Sequence, residues 1–158
     1  MFKKVSNMRV LMVCLGNICR SPIAEGILHH QVELKKLEMT VDSAGTSDYH
    51  IDESPDSRAI AVAKKNGIDI SNLRGRQFTV DDFDQFDVIF VMDYSNYENV
   101  IKLARSEEDK NKVQLILNQI YPNENQSVPD PYFGGEEGFD SVFNMLDASI
   151  TNFINKQL

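Results

Sequence analysis

The chain has 158 residues and a net charge of −8 at neutral pH, and 42% of its residues are hydrophobic. This length and composition predict one globular domain over residues 1–158, with residues 1–8 as a short N-terminal extension. The negative charge argues against nucleic acid or an anionic membrane surface as a partner, because both are bound mainly through Lys and Arg.

The sequence also bears on the cellular compartment. The apolar run from Val10 to Leu15 is too short for a signal peptide, and no segment approaches the ~20 apolar residues of a membrane helix. Two cysteines, Cys14 and Cys19, are too few for a disulfide scaffold and fit a reducing compartment. We therefore expect a cytoplasmic protein.

The predicted elements alternate between strand and helix along the chain. Short apolar runs typical of buried parallel strands are Arg9–Cys14, Thr40–Ser43, Val88–Met92 and Val113–Leu117. Helical patterns cover Ser21–Leu37, Asp56–Asn66, Tyr94–Leu103 and Phe139–Ile154. This alternation predicts an α/β fold, a doubly wound three-layer α/β/α arrangement around a four-stranded parallel sheet.

Two details of this pattern bear on function. Ser21 is predicted to cap the first helix, with Pro22 as its first helical residue, where the missing N–H costs nothing. The segment Tyr121–Gly138 is rich in Pro and Gly and is predicted as one long loop. Long ordered loops in compact domains are usually functional.

The most informative segment joins the first strand to the first helix, where ligands bind in parallel α/β sheets. It begins at Cys14 and ends with Arg20 and Ser21. Backbone N–H groups of a tight loop and of a helix start form an anion-binding nest, and an Arg fork fits phosphate. The same positive field favours the thiolate of Cys14, which is the nucleophilic form. Gly16 and Asn17 tolerate the left-handed backbone that such a loop requires.

The motif from Val13 to Pro22 resembles the signature of the low-molecular-weight protein tyrosine phosphatases. The resemblance continues through Asp42–Thr46, Arg76-Gln77, Met92-Asp93 with Asn96, and Asp130-Pro131-Tyr132. It runs from about Arg9 to the C-terminus in the family's order. The loop combined with the distant Asp-Pro-Tyr makes the resemblance highly specific.

The resemblance implies a reaction and roles for three residues. Cys14 attacks phosphorus to form a phosphocysteine, Arg20 clamps the phosphate oxygens, and Asp130 is the general acid and base. No metal and no cofactor take part. The implied substrate is a phosphotyrosine-containing protein or a small aryl phosphate, and the implied protein is a monomer, with weak dimers left open.

The resemblance also implies which residues surround the substrate and support the site. Ser43 would hydrogen-bond Asn17, Asp93 would support the loop, and Asp42, Arg76 and Glu25 would form an ion network. The implied substrate-binding residues are Leu15, Gly16, Asn17, Ile18, Cys19, Ser21, Tyr49, Tyr132 and Phe133. Cys19 would form a reversible disulfide with an oxidised Cys14.

Several features separate this chain from relatives. Tyr49 stands where some members have Trp, and Leu73 where some have His, which puts a His-mediated support of the loop in doubt. Ile18 stands where related phosphoarginine phosphatases have Thr and therefore favours tyrosine. His29, His30 and His50 show no spacing typical of a zinc site and are interpreted as ordinary residues.

Three alternatives to a tyrosine phosphatase stay open. An arsenate reductase of the same fold would need further cysteines downstream, and the sequence has none after Cys19. A phosphoarginine phosphatase would differ in its substrate slot. A phosphotyrosine-binding module would have lost its chemistry, whereas Cys14, Arg20 and Asp130 are all present here.

Overall fold

The structure is a computed structural model, and it describes residues 7–132 and 134–158. Its strands are β1 (Met8–Cys14), β2 (Met39–Gly45), β3 (Val88–Val91) and β4 (Val113–Leu115). Its helices are α1 (Arg20–Lys35), α2 (Ser57–Lys65), α3 (Asp82–Gln85), α4 (Tyr94–Ile101), α5 (Glu107–Asn111) and α6 (Glu136–Gln157), with a 3₁₀ turn at Ile116–Gln119.

The sheet is parallel, with the strand order β2-β1-β3-β4. The chain moves outward from β1 to β2 and then crosses to β3 on the other side of β1. This reversal makes the gap beyond the carboxyl ends of β1 and β3 the switch point, where ligands bind in open α/β sheets. Cys14 ends β1, and Asp93 lies two residues after the end of β3.

Side chains alternate along the central strands and form two separate cores. Val10 and Met12 of β1 face a core shared with α1, α2 and α6, whereas Leu11 and Val13 face a smaller core with α3 and α4. Apolar residues on both faces explain why the strands appear as continuous apolar runs in the sequence. The predicted three-layer α/β/α fold with a four-stranded parallel sheet is confirmed.

Several predicted boundaries are wrong. Helix α1 begins at Arg20, so Pro22 is its third residue, and Ser21 does not cap it because its hydroxyl faces Cys14 and Asn17. Strand β4 ends at Leu115, where the chain turns into the 3₁₀ segment. Helix α6 begins at Glu136, three residues before the predicted start, and this shortens the predicted loop. Acidic residues in a first turn favour such a start.

The ends of the chain and its helices bear on two further expectations. Of the predicted extension 1–8, residues 1–6 lie outside the described residues, and Met8 already belongs to β1. Within residues 7–132 and 134–158, none of the helices combines the length and apolar character needed to cross a membrane.

Candidate active site

A cavity of about 210 Å³ opens at the carboxyl end of β1. The loop that joins β1 to α1 forms its floor, and the loops that follow β2 and precede α6 form its sides. It is lined by Cys14, Leu15, Gly16, Ile18, Cys19, Arg20, Tyr49, His50, Asp130 and Tyr132. The structure therefore brings the three predicted catalytic residues, Cys14, Arg20 and Asp130, together in one cavity.

The loop offers a set of unused backbone donors. Among the described residues, the N–H groups of Gly16, Asn17, Ile18 and Cys19 find no acceptor. Such groups in a tight loop before a helix start are suited to bind an anion. Asn17 has the expected left-handed backbone, with φ of 59°. Gly16 does not have a left-handed backbone, but its small size matters because an added Cβ would lie 3.0 Å from the His50 ring.

A chain of hydrogen bonds supports the Cys14 sulfur from behind the loop. The Cys14 Sγ and Ser21 Oγ atoms lie 3.1 Å apart, and the Asn17 amide donates to Ser21 at 2.7 Å and to Ser43 at 3.0 Å. The side-chain oxygen Oδ1 of Asn17 accepts from the backbone N–H of Arg76 at 3.0 Å, which fixes the orientation of the side-chain amide. Ser21 accepts from Asn17, so its own hydrogen is free to point at the sulfur.

This arrangement refines the expectations for the polar loop residues. The predicted contact between Ser43 and Asn17 is present. The side chains of Asn17 and Ser21 lie behind the loop and not in the cavity wall, with 3% and 0% of their surface exposed. Their contribution from this position is to shape the loop and to support the Cys14 sulfur.

Arg20 is the buried cation of the site, with only 2% of its side chain exposed. Its Nη1 donates to Asp93 at 2.7 Å and to the Val128 carbonyl at 2.8 Å, and its Nη2 lies 3.7 Å from the Asp130 carboxylate. Burial works against its charge, but the interactions with Cys14, Asp93 and Asp130 outweigh burial and raise the pKa of Arg20. Arg20 is therefore a fixed positive charge beside Cys14.

Asp130 faces the cavity from the loop that precedes α6. Its Oδ1 accepts the backbone N–H of Tyr132 at 3.0 Å, and 36% of its side chain is exposed. The loop is held two residues earlier, where the Val128 N–H donates to the Met92 carbonyl at 2.8 Å. The predicted acid thus lines the same cavity as the loop that carries Cys14.

Apolar and aromatic side chains form the walls of the cavity. Tyr49, Tyr132 and Leu15 are exposed at its mouth, whereas Ile18 is buried deeper. Phe133, also predicted as a wall residue, lies outside the described residues. A narrow slot of this composition fits a flat ring that carries a charged group at its inner end.

Sequence reasoning missed His50 as a wall residue. Its ring packs beside Gly16 and edge-on to Tyr49, and its Nδ1 lies 2.9 Å from a Glu53 carboxylate oxygen. A lone histidine on a loop follows no periodicity. The only available signal was its position next to Tyr49.

The ion network behind the loop has a further member, Asp82. Arg76 pairs with Asp82 at 3.0 Å as well as with the predicted Asp42 at 3.0 Å. Glu25 contacts the network differently from the prediction, because its Oε1 accepts from the Ser43 hydroxyl at 2.6 Å. Burial is the main cause that raises the pKa of Glu25 to about 7; nearby Asp42 adds to this, whereas Ser43 and Arg76 oppose it.

Leu73 takes no polar part in this support. It is partly buried and packs against the larger core. The side-chain oxygen of Asn17 is instead held by the backbone N–H of Arg76, so this support needs no histidine at position 73. Within the described ranges, no three His, Cys, Asp or Glu side chains are grouped as a metal would require.

Comparisons with known proteins agree with this geometry. Residues 9–158 match the family model described as low molecular weight phosphotyrosine protein phosphatase. A relative of that name from Schizosaccharomyces pombe is 41% identical over 151 residues, which cover 94% of this chain and 96% of the relative. A protein tyrosine phosphatase structure from Entamoeba histolytica has 38% identity and a TM-score of 0.88, covering 95% and 96% of the two chains.

A third similar structure is an arginine phosphatase from Drosophila. It has 35% identity and a TM-score of 0.87, and it covers 94% of this chain and 97% of its own. Taken with the fold and the cavity, the comparisons define the class of the molecule, which is a protein-tyrosine phosphatase. The chain belongs to the low molecular weight phosphotyrosine protein phosphatase family, as the sequence motifs predict.

Proposed function

We propose that the chain hydrolyses phosphotyrosine through a phosphocysteine intermediate on Cys14. One observation carries the proposal: Cys14 lines one cavity with the buried Arg20 cation and with the Asp130 carboxyl, which lies 3.7 Å from Arg20 Nη2. A nucleophile, a clamp for charge and a proton donor are the groups that phosphoryl transfer to a thiolate requires.

In the first step, the Cys14 thiolate attacks phosphorus and forms a sulfur–phosphorus bond. The bond from phosphorus to the phenol oxygen breaks, and Asp130 gives its proton to that oxygen. Negative charge on the equatorial phosphate oxygens is met by the loop N–H groups and by Arg20. Ser21 donates to the sulfur before attack and again when the sulfur departs in the second step.

In the second step, a water molecule attacks the phosphocysteine. Asp130, now a carboxylate, takes the proton of this water as the new phosphorus–oxygen bond forms. The sulfur–phosphorus bond breaks, inorganic phosphate leaves, and the Cys14 thiolate and the protonated Asp130 are restored. Proton transfer of this kind is worth roughly 10²–10⁴-fold in rate.

The walls support an aryl phosphate as the substrate. Tyr49 and Tyr132 contribute exposed aromatic rings to the cavity lining, and the buried Ile18 contributes an apolar contact. A phosphotyrosine ring spans such a slot, whereas phosphoserine is too short to reach the loop while its backbone stays outside.

Phosphoarginine hydrolysis is the second candidate, because the Drosophila arginine phosphatase is among the similar structures. A guanidinium in the slot would need acceptors for its N–H groups. Ile18 offers none from its side chain, and an unpaired buried donor costs roughly 1–3 kcal/mol. We therefore expect phosphotyrosine turnover to exceed phosphoarginine turnover on matched peptides.

The test compares Cys14→Ser with Cys19→Ser, a matched control on the same loop. Both are assayed on a phosphotyrosine peptide, and wild type is quenched in acid during turnover to trap labelled phosphate on the protein. We expect no turnover by Cys14→Ser, retained turnover by Cys19→Ser, and label on Cys14 itself. Turnover by Cys14→Ser, or label on another residue, would refute the proposal.

A further inference from the structure

Arg58 lies at the start of α2, and its guanidinium donates hydrogen bonds to two backbone carbonyl groups of the loop that carries Asp130. Its Nη2 donates to the Tyr132 carbonyl at 2.9 Å, and its Nη1 donates to the Gly134 carbonyl at 3.1 Å. The sequence separation of 74–76 residues means that helical periodicity gives no hint of these contacts.

The Arg58 side chain is itself held in place from two sides. Asp56 accepts from Nε at 3.0 Å and from Nη2 at 3.0 Å, so the guanidinium is fixed in a bidentate pair. The guanidinium carbon lies 4.7 Å from the centre of the Phe139 ring of α6, which is 1% exposed. A planar cation between a carboxylate and an aromatic ring has little freedom to move.

The residues just before Arg58 also contact the loop that joins β1 to α1 and carries Cys14. The backbone N–H of Asp56 donates to the carbonyl of Ile18 at 2.8 Å. One short segment, Asp56 to Arg58, therefore bonds to the loop of Cys14 on one side and to the loop of Asp130 on the other. This segment fixes the distance between the two loops.

Two arginines thus hold the Asp130 loop on either side of the acid. Arg20 bonds to the Val128 carbonyl two residues before Asp130, and Arg58 bonds to the Tyr132 carbonyl two residues after it. The Tyr132 N–H that contacts the Asp130 carboxyl belongs to the same short turn. A shift of the turn would move the carboxyl directly.

We propose that Arg58 is a positioning residue, which holds the backbone after Asp130 so that the carboxyl meets the leaving-group oxygen of the substrate. This inference rests on the proposed role of Asp130 as the proton donor. Proton transfer needs a heavy-atom distance of about 2.6–3.2 Å. A misplacement of about 1 Å costs on the order of 10²-fold in rate.

The test uses Arg58→Lys and Arg58→Met. Lysine keeps the positive charge but has one nitrogen in place of the three through which Arg58 bonds to Asp56 and to the two carbonyls, and methionine keeps only the length of the stem. The value of kcat/KM is measured on aryl phosphates with leaving groups from dinitrophenol to phenol. The poor leaving group needs the proton of Asp130, whereas the activated one leaves without it.

We expect kcat/KM for phenyl phosphate to fall roughly 10- to 100-fold in both variants. The loss for dinitrophenyl phosphate and the change in inhibition by inorganic phosphate should each stay within about threefold, since Cys14 and the loop donors are untouched. Arg105→Lys is the matched control, because Arg105 also bonds through several guanidinium nitrogens, in its case to the carboxylates of Asp84 and Asp109, and lies outside the cavity lining.

Losses that are equal for the two leaving groups, or absent, would overturn the role of Arg58. Asp130→Asn, measured in parallel, separates this failure from failure of the mechanism. If Asp130→Asn shows the leaving-group effect and the Arg58 variants do not, only Arg58 is misassigned. If Asp130→Asn shows none, the acid itself is misassigned. Combining Arg58→Lys with Asp130→Asn should add little further loss.

Discussion

The Ser43 hydroxyl donates to the Glu25 carboxyl across 2.6 Å, and Ser43 in turn accepts from the Asn17 amide. Glu25 is therefore the far end of the hydrogen-bond chain that reaches Cys14. An ionised Glu25 can only accept, and this keeps the Ser43 hydrogen directed away from Asn17. The direction of the chain is set at Asn17, whose amide is oriented by the Arg76 N–H, and an ionised Glu25 places a negative charge at the far end.

Glu25 should make the stability of the protein depend on pH between about 4.5 and 7. Burial raises the pKa of Glu25 to about 7 in the folded protein, against 4.5 for an ordinary Glu. Between these values the folded state holds a proton that the unfolded state has released. The contribution of Glu25 to stability is therefore fully present below pH 4.5 and is lost as the pH rises through 7.

Glu25→Gln removes this titration and still accepts from Ser43. We expect urea unfolding from pH 5 to pH 8 to show a free energy of unfolding that declines less steeply with pH in Glu25→Gln than in wild type. Glu98→Gln, an exposed change on α4, should leave the slope unchanged. Parallel curves for wild type and Glu25→Gln would show that Glu25 titrates as an ordinary carboxyl.

Asp93→Asn should weaken both the fold and phosphate binding. The neutral amide can still cap α4, where Asp93 accepts from the Asn96 N–H at 2.7 Å, but it no longer balances the buried Arg20 charge. We expect a loss of roughly 1–3 kcal/mol in the free energy of unfolding. We also expect weaker inhibition by inorganic phosphate, because Arg20 loses its orientation.

Asp87→Asn is the control for Asp93→Asn. Asp87 pairs with Arg9 at 3.2 Å, but about two-fifths of each side chain is exposed. Exposed pairs contribute at most about 1 kcal/mol. If Asp93→Asn lowers the free energy of unfolding no more than Asp87→Asn does, then the partner of the buried Arg20 contributes no more to stability than the partner of an exposed arginine.

Local sequence patterns were sufficient to predict those parts of the site whose residues are close together in the sequence. The strand that ends at Cys14 and the loop that ends at Arg20 are adjacent in sequence, so apolar runs and loop residues reveal them. The start of α1 was misplaced because the Ser21 hydroxyl has two uses in principle, capping or contact with Cys14, and only the fold decides between them.

Contacts between distant segments could not be predicted from patterns. Arg20 bonds to Val128 across 108 residues, and Arg58 bonds to Tyr132 across 74. Each acceptor is a backbone carbonyl, which every residue has, so nothing in the sequence indicates which residue the arginine contacts. His50 was missed for a related reason, since its place in the wall follows from how the loop after β2 folds back on Gly16.

Cys19 should resist alkylation under conditions in which Cys14 reacts. Burial raises the pKa of the Cys19 thiol, and the nearby Asp56 carboxylate adds to the effect. Iodoacetate reacts with thiolates. Mass spectrometry of the native protein should therefore find the adduct on Cys14, reduced by added inorganic phosphate, and none on Cys19 until the protein is unfolded. Modification of native Cys19 would contradict its assignment as a buried thiol.

Gly45→Ala, a change at the end of β2, should distort the loop that joins β1 to α1. A Cβ at Gly45 would lie 2.8 Å from the Leu15 carbonyl oxygen and 3.1 Å from the Gly16 carbonyl carbon, both of which belong to the backbone and cannot rotate away. The loop donors must move to relieve this contact. We expect a cost of about 1–3 kcal/mol in stability and a fall in kcat/KM of at least about tenfold.

Gly135→Ala is the matched control for Gly45→Ala, because an added Cβ there meets no atom of residues 7–132 and 134–158 within 4 Å and the backbone φ of −89° suits any residue. Urea unfolding and kcat/KM on p-nitrophenyl phosphate should distinguish the two variants. Wild-type kinetics in Gly45→Ala would mean that the loop can shift without losing the geometry of its donors. Phosphate binding would then not require a fixed set of loop N–H groups, because the donors would work after leaving the place where the close approach of β2 holds them.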